Sequence, residues 1–267
     1  MAVNRRLVLG LLASACATGA FAAPQSKLLD RRWTLFGRSD GPDHARWREI
    51  LRAGRKMGSD GIARFDYGGV DPAAVSAYVR DLEALDPAKL HGHGAFAYWV
   101  NLYNAATVEV VQNAYPVESI RKIGGGVFAR GPWQAKRLTV QGQSLSLDDI
   151  EHGILRPIWK DPRVHYAVNC AALGCPNLAA APYDGRSYDA MLNAAAKAYI
   201  NHPRGVSVQG DAVELSSIYD WYGEDFGDTA AQVLGHISTY AEPKLAKALS
   251  SVRKISGYTY NWALNDV

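Results

Sequence analysis

Cysteine is scarce in this sequence, with three among 267 residues. Cys16 falls in an apolar N-terminal run, which leaves Cys170 and Cys175 for the folded part. Two cysteines allow at most one internal disulfide, which excludes a multiply stapled mini-scaffold. Long hydrophobic runs are missing too. After the N-terminus no stretch approaches 18 apolar residues without a charge, so no helical membrane span is expected. No internal repeat and no low-complexity linker is present, which excludes a repeat architecture. An excess of one charge is also lacking. Lys and Arg number 29 against 26 Asp and Glu, a formal net charge of +3. Arg5 and Arg6 account for two of those charges, so the rest of the chain is close to neutral and offers no basis for nucleic-acid binding.

The first residues carry a recognisable pattern. A short basic start, Asn4-Arg5-Arg6, precedes an apolar run over 7–15 and a small-residue cleavage pattern, Ala20-Phe-Ala22. This reads as a signal peptide over 1–22, too short for a membrane span, and it places the protein in the periplasm or outside the cell. Ala13-Ser-Ala-Cys16 is an imperfect lipobox, because leucine is expected three residues before the cysteine. Lipidation at Cys16 is the one route by which a membrane would become a partner. Cleavage after Ala22 leaves 245 of the 267 residues, enough for one large domain.

Along the remainder, 23–42 is rich in Gly, Arg and Asp with little periodicity and reads as a loose N-terminal arm, followed by a domain over 43–267. Helices are expected over 44–57, 71–85 and 93–115. Asp71 caps the second with Pro72 at its first position, and Pro116 ends the third. Residues 137–141 alternate and suggest a hairpin or edge strands. Ser146-Leu-Asp-Asp149 is a capping box opening a helix that runs to about Arg156. A short buried strand is expected over 163–169, a helix over 188–200, and a hairpin over 205–215 turning at Gly210-Asp211. Helices over 216–222 and 230–241 and a late strand over 253–262 complete the reading. The expected class is α+β, a helix-rich single domain with a small, mostly antiparallel sheet.

Chemistry-bearing residues cluster in a few blocks. In Asp161-Pro-Arg-Val-His165, continuing through Asn169-Cys170 to Gly174-Cys175-Pro176, a strand would put His165, Ala167 and Asn169 on one face, ending at two thiols. Asn101 and Asn104 sit three apart on the most apolar helix and share a face. Asp149 and His152 are also three apart and are placed to pair, which would fix the imidazole tautomer. These are the residue types of a thiol hydrolase: Cys175 or Cys170 as nucleophile, His165 or His152 as base, and Asn101, Asn104 or Asp149 as orienter. Gly174 and Pro176 suggest a rigid, open mount for Cys175, which ranks it ahead of Cys170. The same residues admit a blander reading: asparagines bracing loops, a core histidine, and a Cys170–Cys175 disulfide. Cys-x4-Cys with His165 and His152 is not a standard zinc pattern. No cofactor or metal is assigned.

Five blocks resemble, in order, those of the domain of unknown function 547 family. Ala97-Tyr-Trp-Val-Asn-Leu-Tyr-Asn-Ala105 is similar to its Phe-Trp-Ile-Asn-x-Tyr-Asn-Ala signature, with Tyr98 replacing the usual Phe. Tyr115-Pro-Val-Glu-Ser-Ile120, Leu147-Asp-Asp-Ile-Glu-His-Gly-Ile-Leu-Arg156, Asp161 to Pro176, and Leu215-Ser-Ser-Ile-Tyr-Asp-Trp-Tyr-Gly-Glu-Asp-Phe-Gly227 follow. The resemblance covers about 65–227 and implies no settled activity. Two functions are therefore carried forward. One is an exported cysteine-dependent hydrolase or acyl transferase. The other is a non-catalytic periplasmic module that binds a small molecule, a peptide or a protein and holds a structural disulfide. Either way Asn101, Asn104, His152, His165 and the cysteine loop are expected to converge on one cleft.

Overall fold

The most apolar stretch of the chain forms its longest helix, and the rest is arranged around it. The computed structural model describes residues 23–124 and 131–267; the signal peptide expected over 1–22, with Cys16, lies outside the described residues. Gly92–Gln112 (α3) is buried almost all round, from Gly94 through Val108 without a break. A helix apolar on every face has to be wrapped by other elements rather than laid on a surface. Pro72–Glu83 (α2) packs against it, and Ala45–Gly54 (α1) packs in turn on α2. Asp71 caps α2 by accepting from the Ala73 amide, with Pro72 in the first turn. The first helix is shorter than the sequence suggests. It stops at Gly54, where a Cβ would stand 2.6 Å from the Phe65 ring, and the chain turns into strand Arg55–Met57 (β1), paired antiparallel with Ala63–Phe65 (β2).

The hairpin expected near 137–141 is present as Leu138–Val140 (β3) and Gln143–Leu145 (β4). The Ser146/Asp149 capping box then opens Leu147–Ile150 (α4). This helix passes through a π-helical turn, Glu151–Leu155, into Arg156–Trp159 (α5). A π-turn adds one residue and re-aims the side chains that follow, a feature concentrated at functional sites. Tyr188–Ile200 (α7) packs against a second apolar cluster built on Tyr166, Tyr199, Tyr219 and Phe226. That cluster also holds the hairpin Val206–Gln209 (β5) and Ala212–Ser216 (β6), turning at Gly210-Asp211, and Ala230–Tyr240 (α10). Ile218–Trp221 (α8) and Gly223–Phe226 (α9) precede α10, and Pro243–Leu249 (α11) follows it. The late strand Lys254–Thr259 (β7) joins β6 in parallel, so the third sheet is mixed. The class is α+β, as expected.

Two expectations are corrected. Residues 163–169 are not a strand: Val164–Ala167 (α6) is a single helical turn that ends as Val168 becomes extended. A short run of buried apolar residues has no periodicity long enough to separate strand from buried helix. The arm over 23–42 is not loose. The Lys27 and Leu29 amides donate to the His152 and Gly153 carbonyls. Trp33, 3% exposed, stands edge-on to Trp99 of α3 with centroids 5.1 Å apart. Among the described residues no helix is long and apolar enough to cross a membrane.

Trp33 is the arm's main apolar anchor. Trp33→Ala should destabilise the fold by about 3–5 kcal/mol in urea unfolding, the usual result of emptying a buried tryptophan site. A change below about 1 kcal/mol would mean that the arm is dispensable.

Candidate functional site

The π-turn, α6, α8–α9 and the C-terminal segment meet around a cavity of about 230 Å³. The helical register explains its floor. Asp148, Glu151 and His152 lie on successive turns of α4 and the π-turn, and all three face it. Tyr103 of α3 and His165 of α6 form the inner wall; Trp133, Trp221, Tyr222, Tyr260 and Trp262 supply aromatic faces. Ala23 and Pro24 of the docked arm also line it.

Behind the floor sits a buried guanidinium. The Arg156 side chain is 1% exposed. It donates from Nε to Asp225 Oδ2 (2.5 Å), from Nη2 to Glu224 Oε1 (2.5 Å), and from Nη1 to the Pro24 carbonyl (2.7 Å) and His152 Nδ1 (3.1 Å). Because arginine can only donate, His152 Nδ1 is an acceptor and its proton is assigned to Nε2. Nε2 faces Asp148 Oδ1 at 3.7 Å. Burial lowers the His152 pKa, against the opposing pull of the Glu151 charge.

His165 sits between two carboxylates. Its Nε2 lies 2.6 Å from Asp225 Oδ2 and its Nδ1 lies 3.7 Å from Glu151 Oε1. The ring stacks on Tyr222 at 3.9 Å. Burial would raise Asp225, but its contacts with His165 and Arg156 outweigh this and hold it at about 2. An ionised Asp225 accepts, so the Nε2 proton of His165 points to it. Nδ1 is then left buried with no hydrogen-bond partner among the described residues. Burial alone would also raise Glu151. The His152 and His165 imidazoles and Arg156 outweigh it, and Glu151 stays ionised at about 2. Asp148 goes the other way. Burial and the Glu151 charge push it up to about 6. Two carboxyls in one cavity thus have affinities for protons driven apart, a pattern common where protons are exchanged.

Cys170 and Cys175 are disulfide-bonded, with Cα atoms 6.2 Å apart, and both line the cavity. Their polar partners are local. Cys175 Sγ accepts from the Cys170 amide (2.9 Å) and from the Tyr260 hydroxyl (3.0 Å), which also lies 3.1 Å from Cys170 Sγ. Among the described residues no hydrogen bond joins either imidazole to either sulfur. The ranking of Cys175 as the open thiol is overturned. Cys175 is 3% exposed and Cys170 is half-buried. Gly174 serves close packing, but against the protein's own C-terminus. Its amide donates to the Asn261 carbonyl, and a Cβ there would stand 2.8 Å from the Asn261 nitrogen.

The remaining candidates fall outside the cavity lining. Asn101 donates to the Tyr183 carbonyl and accepts from its amide. Asn104 donates to the Ala167 carbonyl and accepts from the Asn169 amide. Each closes a two-way brace on backbone, and neither lines the cavity that holds the imidazoles. Asn104 nevertheless sets the start of the cysteine loop, since Asn169 in turn donates to the Pro176 carbonyl. Asp149 does not pair with His152. Its carboxylate serves Ser146 and Lys136, and Asp148 takes the place beside the imidazole. The cleft therefore gathers His152, His165 and both cysteines, but neither asparagine. Sequence reading missed Glu151, although a glutamate inside Ile150-Glu-His-Gly-Ile-Leu155 is a charge in an apolar frame and was visible as such. Tyr260, Trp262, Glu224 and Asp225 reach the site only through tertiary contacts. Among the described residues no group of three or more His, Cys, Asp or Glu is arranged to hold a metal.

Residues 87–200 match the model of the family described as Protein of unknown function, DUF547, which bears out the resemblance over that span. No curated protein and no solved structure matches the chain.

The titrating groups predict an acid profile. His44 and His236 are held down to about 4 by burial, against an ordinary 6.5. From pH 6.5 to 4 the unfolded chain binds protons there that the folded chain refuses, so stability falls on acidification. Glu151 and Asp225 extend the loss from their ordinary 4.5 and 3.8 down towards 2. Asp148 opposes it. Between pH 6 and 3.8 the folded state holds the extra proton and gains stability as the pH drops. Asp148→Asn should therefore steepen the decline of Tm between pH 6 and pH 4. An unchanged or shallower slope would show that Asp148 titrates normally.

Proposed function

We propose that this chain, whose residues 87–200 belong to the DUF547 family, is an exported ligand-binding protein. Its aromatic-walled cavity takes a small molecule or a peptide end carrying N–H or O–H donors. The observation that carries the reading is the unspent His165 Nδ1, buried at the cavity wall with ionised Glu151 3.7 Å away. A buried polar atom without a partner is costly, and a ligand donor seated on the cavity side, within hydrogen-bond reach of both the imidazole nitrogen and the carboxylate, would satisfy both. The tryptophan and tyrosine faces suit an apolar or ring-shaped body, the usual division of labour in small-molecule sites. The thiol-hydrolase alternative has less support. Its two nucleophile candidates are bonded to each other, and each imidazole spends a nitrogen on Asp225 or Arg156 rather than on sulfur.

Export is part of the proposal and rests on the leader pattern. Intact-mass analysis of protein recovered from a secreting host should give an N-terminus at Ala23, whereas a diacylglyceryl mass on Cys16 would make it a lipoprotein. Binding is tested by titrating aromatic amines and dipeptides against intrinsic tryptophan fluorescence. Glu151→Gln should weaken any ligand found by about tenfold, the value of a charge-assisted hydrogen bond. Equal affinity for wild type, Glu151→Gln and Trp262→Ala would place the ligand elsewhere and sink the reading.

A further inference from the structure

We infer that the Cys170–Cys175 disulfide is a redox-active wall of the cavity, open to exchange with a small thiol or a cysteine-bearing peptide at Cys170. The inference goes beyond the ligand-binding reading and stands without it, because it concerns only the sulfurs and their immediate partners.

Three observations carry it. First, the two sulfurs differ in access. Both line the cavity, but Cys175 is 3% exposed and Cys170 is half-buried. An incoming thiolate is directed to the more accessible sulfur. Second, the sulfur that would leave is already solvated by the protein. Cys175 Sγ accepts from the Cys170 amide at 2.9 Å and from the Tyr260 hydroxyl at 3.0 Å. Both donors strengthen as the acceptor gains negative charge, so they stabilise a departing thiolate more than a disulfide sulfur. Third, the loop is clamped on both sides. The Leu173 and Gly174 amides donate to the Ala263 and Asn261 carbonyls, and the Asn169 side chain bridges Pro176 and the Ala171 amide. After reduction the two thiols stay together, which makes the pair reversible.

The exchange balances as follows. An external thiolate attacks Cys170 Sγ, forming a mixed disulfide there, and the Cys170–Cys175 bond breaks with its electron pair on Cys175. A second external thiolate attacks the external sulfur of the mixed disulfide and releases Cys170 as a thiolate. Two external thiols are oxidised to one disulfide, the protein disulfide is reduced to two thiols, and the protons given up by the external thiols end on the two cysteines. The lining carries two carboxyl groups, Asp148 and Glu151, against one guanidinium, Arg121, and this small acidic excess suits a thiol bearing a cationic group.

The test uses the native oxidised protein in cysteamine–cystamine buffers of graded ratio at pH 7, quenched by acid and alkylated, with the sites mapped by mass spectrometry. The expected result is reduction without denaturant, with the cysteamine adduct on Cys170. Tyr260→Phe, checked for folding by circular dichroism, should require about a tenfold more reducing buffer for half-reduction, because one donor to the Cys175 thiolate is gone. Reduction only in denaturant, or an adduct on Cys175 instead, would overturn the inference and leave a structural disulfide. A folded Tyr260→Phe protein with an unchanged midpoint would do the same. If that variant does not fold, the wild-type adduct map decides alone.

Discussion

The buried guanidinium of Arg156 is the interaction on which the site depends. A charge 1% exposed is tolerated only when it is paired and hydrogen-bonded, and here four bonds reach it from three segments: the Pro24 carbonyl, His152, and the neighbouring carboxylates of Glu224 and Asp225. Removing one partner of such a buried set typically costs about 3–5 kcal/mol, because the other charge stays buried. The consequence is geometric as much as energetic. One side chain on α5 fixes the N-terminal arm, the π-turn and α9 relative to one another. Through Asp225 it also fixes the tautomer of His165. The imidazole then has one nitrogen committed and one turned, unmet, towards Glu151.

Two smaller devices complete the wall. The asparagines of α3 act on backbone rather than on substrate. Each makes a paired contact with a distant loop, so the most rigid element of the fold sets the position of the Tyr183 loop and of the turn leading to Cys170. The C-terminal segment then passes close over Gly174, carrying Tyr260 and Trp262 onto the cavity. The disulfide is thus enclosed by residues 85 or more positions away in sequence from Cys175.

Much of this was legible in order along the chain. The Asp71-Pro72 start, the Ser146/Asp149 box and the Gly210-Asp211 turn are local chemistry, and each formed as read. The strand expected over 163–169 is instead a helical turn at Val164–Ala167, because seven residues are too few for a period to declare itself. The arm over 23–42 read as loose because its contacts are backbone amides and a single tryptophan, neither of which leaves a periodic trace. The i,i+3 spacing points to Asp149 as the partner of His152, but the capping box claims its carboxylate. Asp148, one residue earlier, was then left facing the imidazole across a turn.

The amino-acid sequence by itself determined the α+β class, the helix caps, the family resemblance and the list of residue types: two cysteines, two histidines and polar residues set in apolar frames. Those properties depend on neighbours within a few positions, where periodicity and capping act. Only the tertiary structure decided which of these residues meet. It joined Cys170 to Cys175 and buried the one that looked open. It turned Asn101 and Asn104 to backbone, brought Glu151 and Tyr260 into the cavity, and set Asp225 behind His165. Those outcomes turn on burial and on contacts between segments far apart in sequence, where desolvation decides what a charge or an amide must do, and no local pattern encodes them.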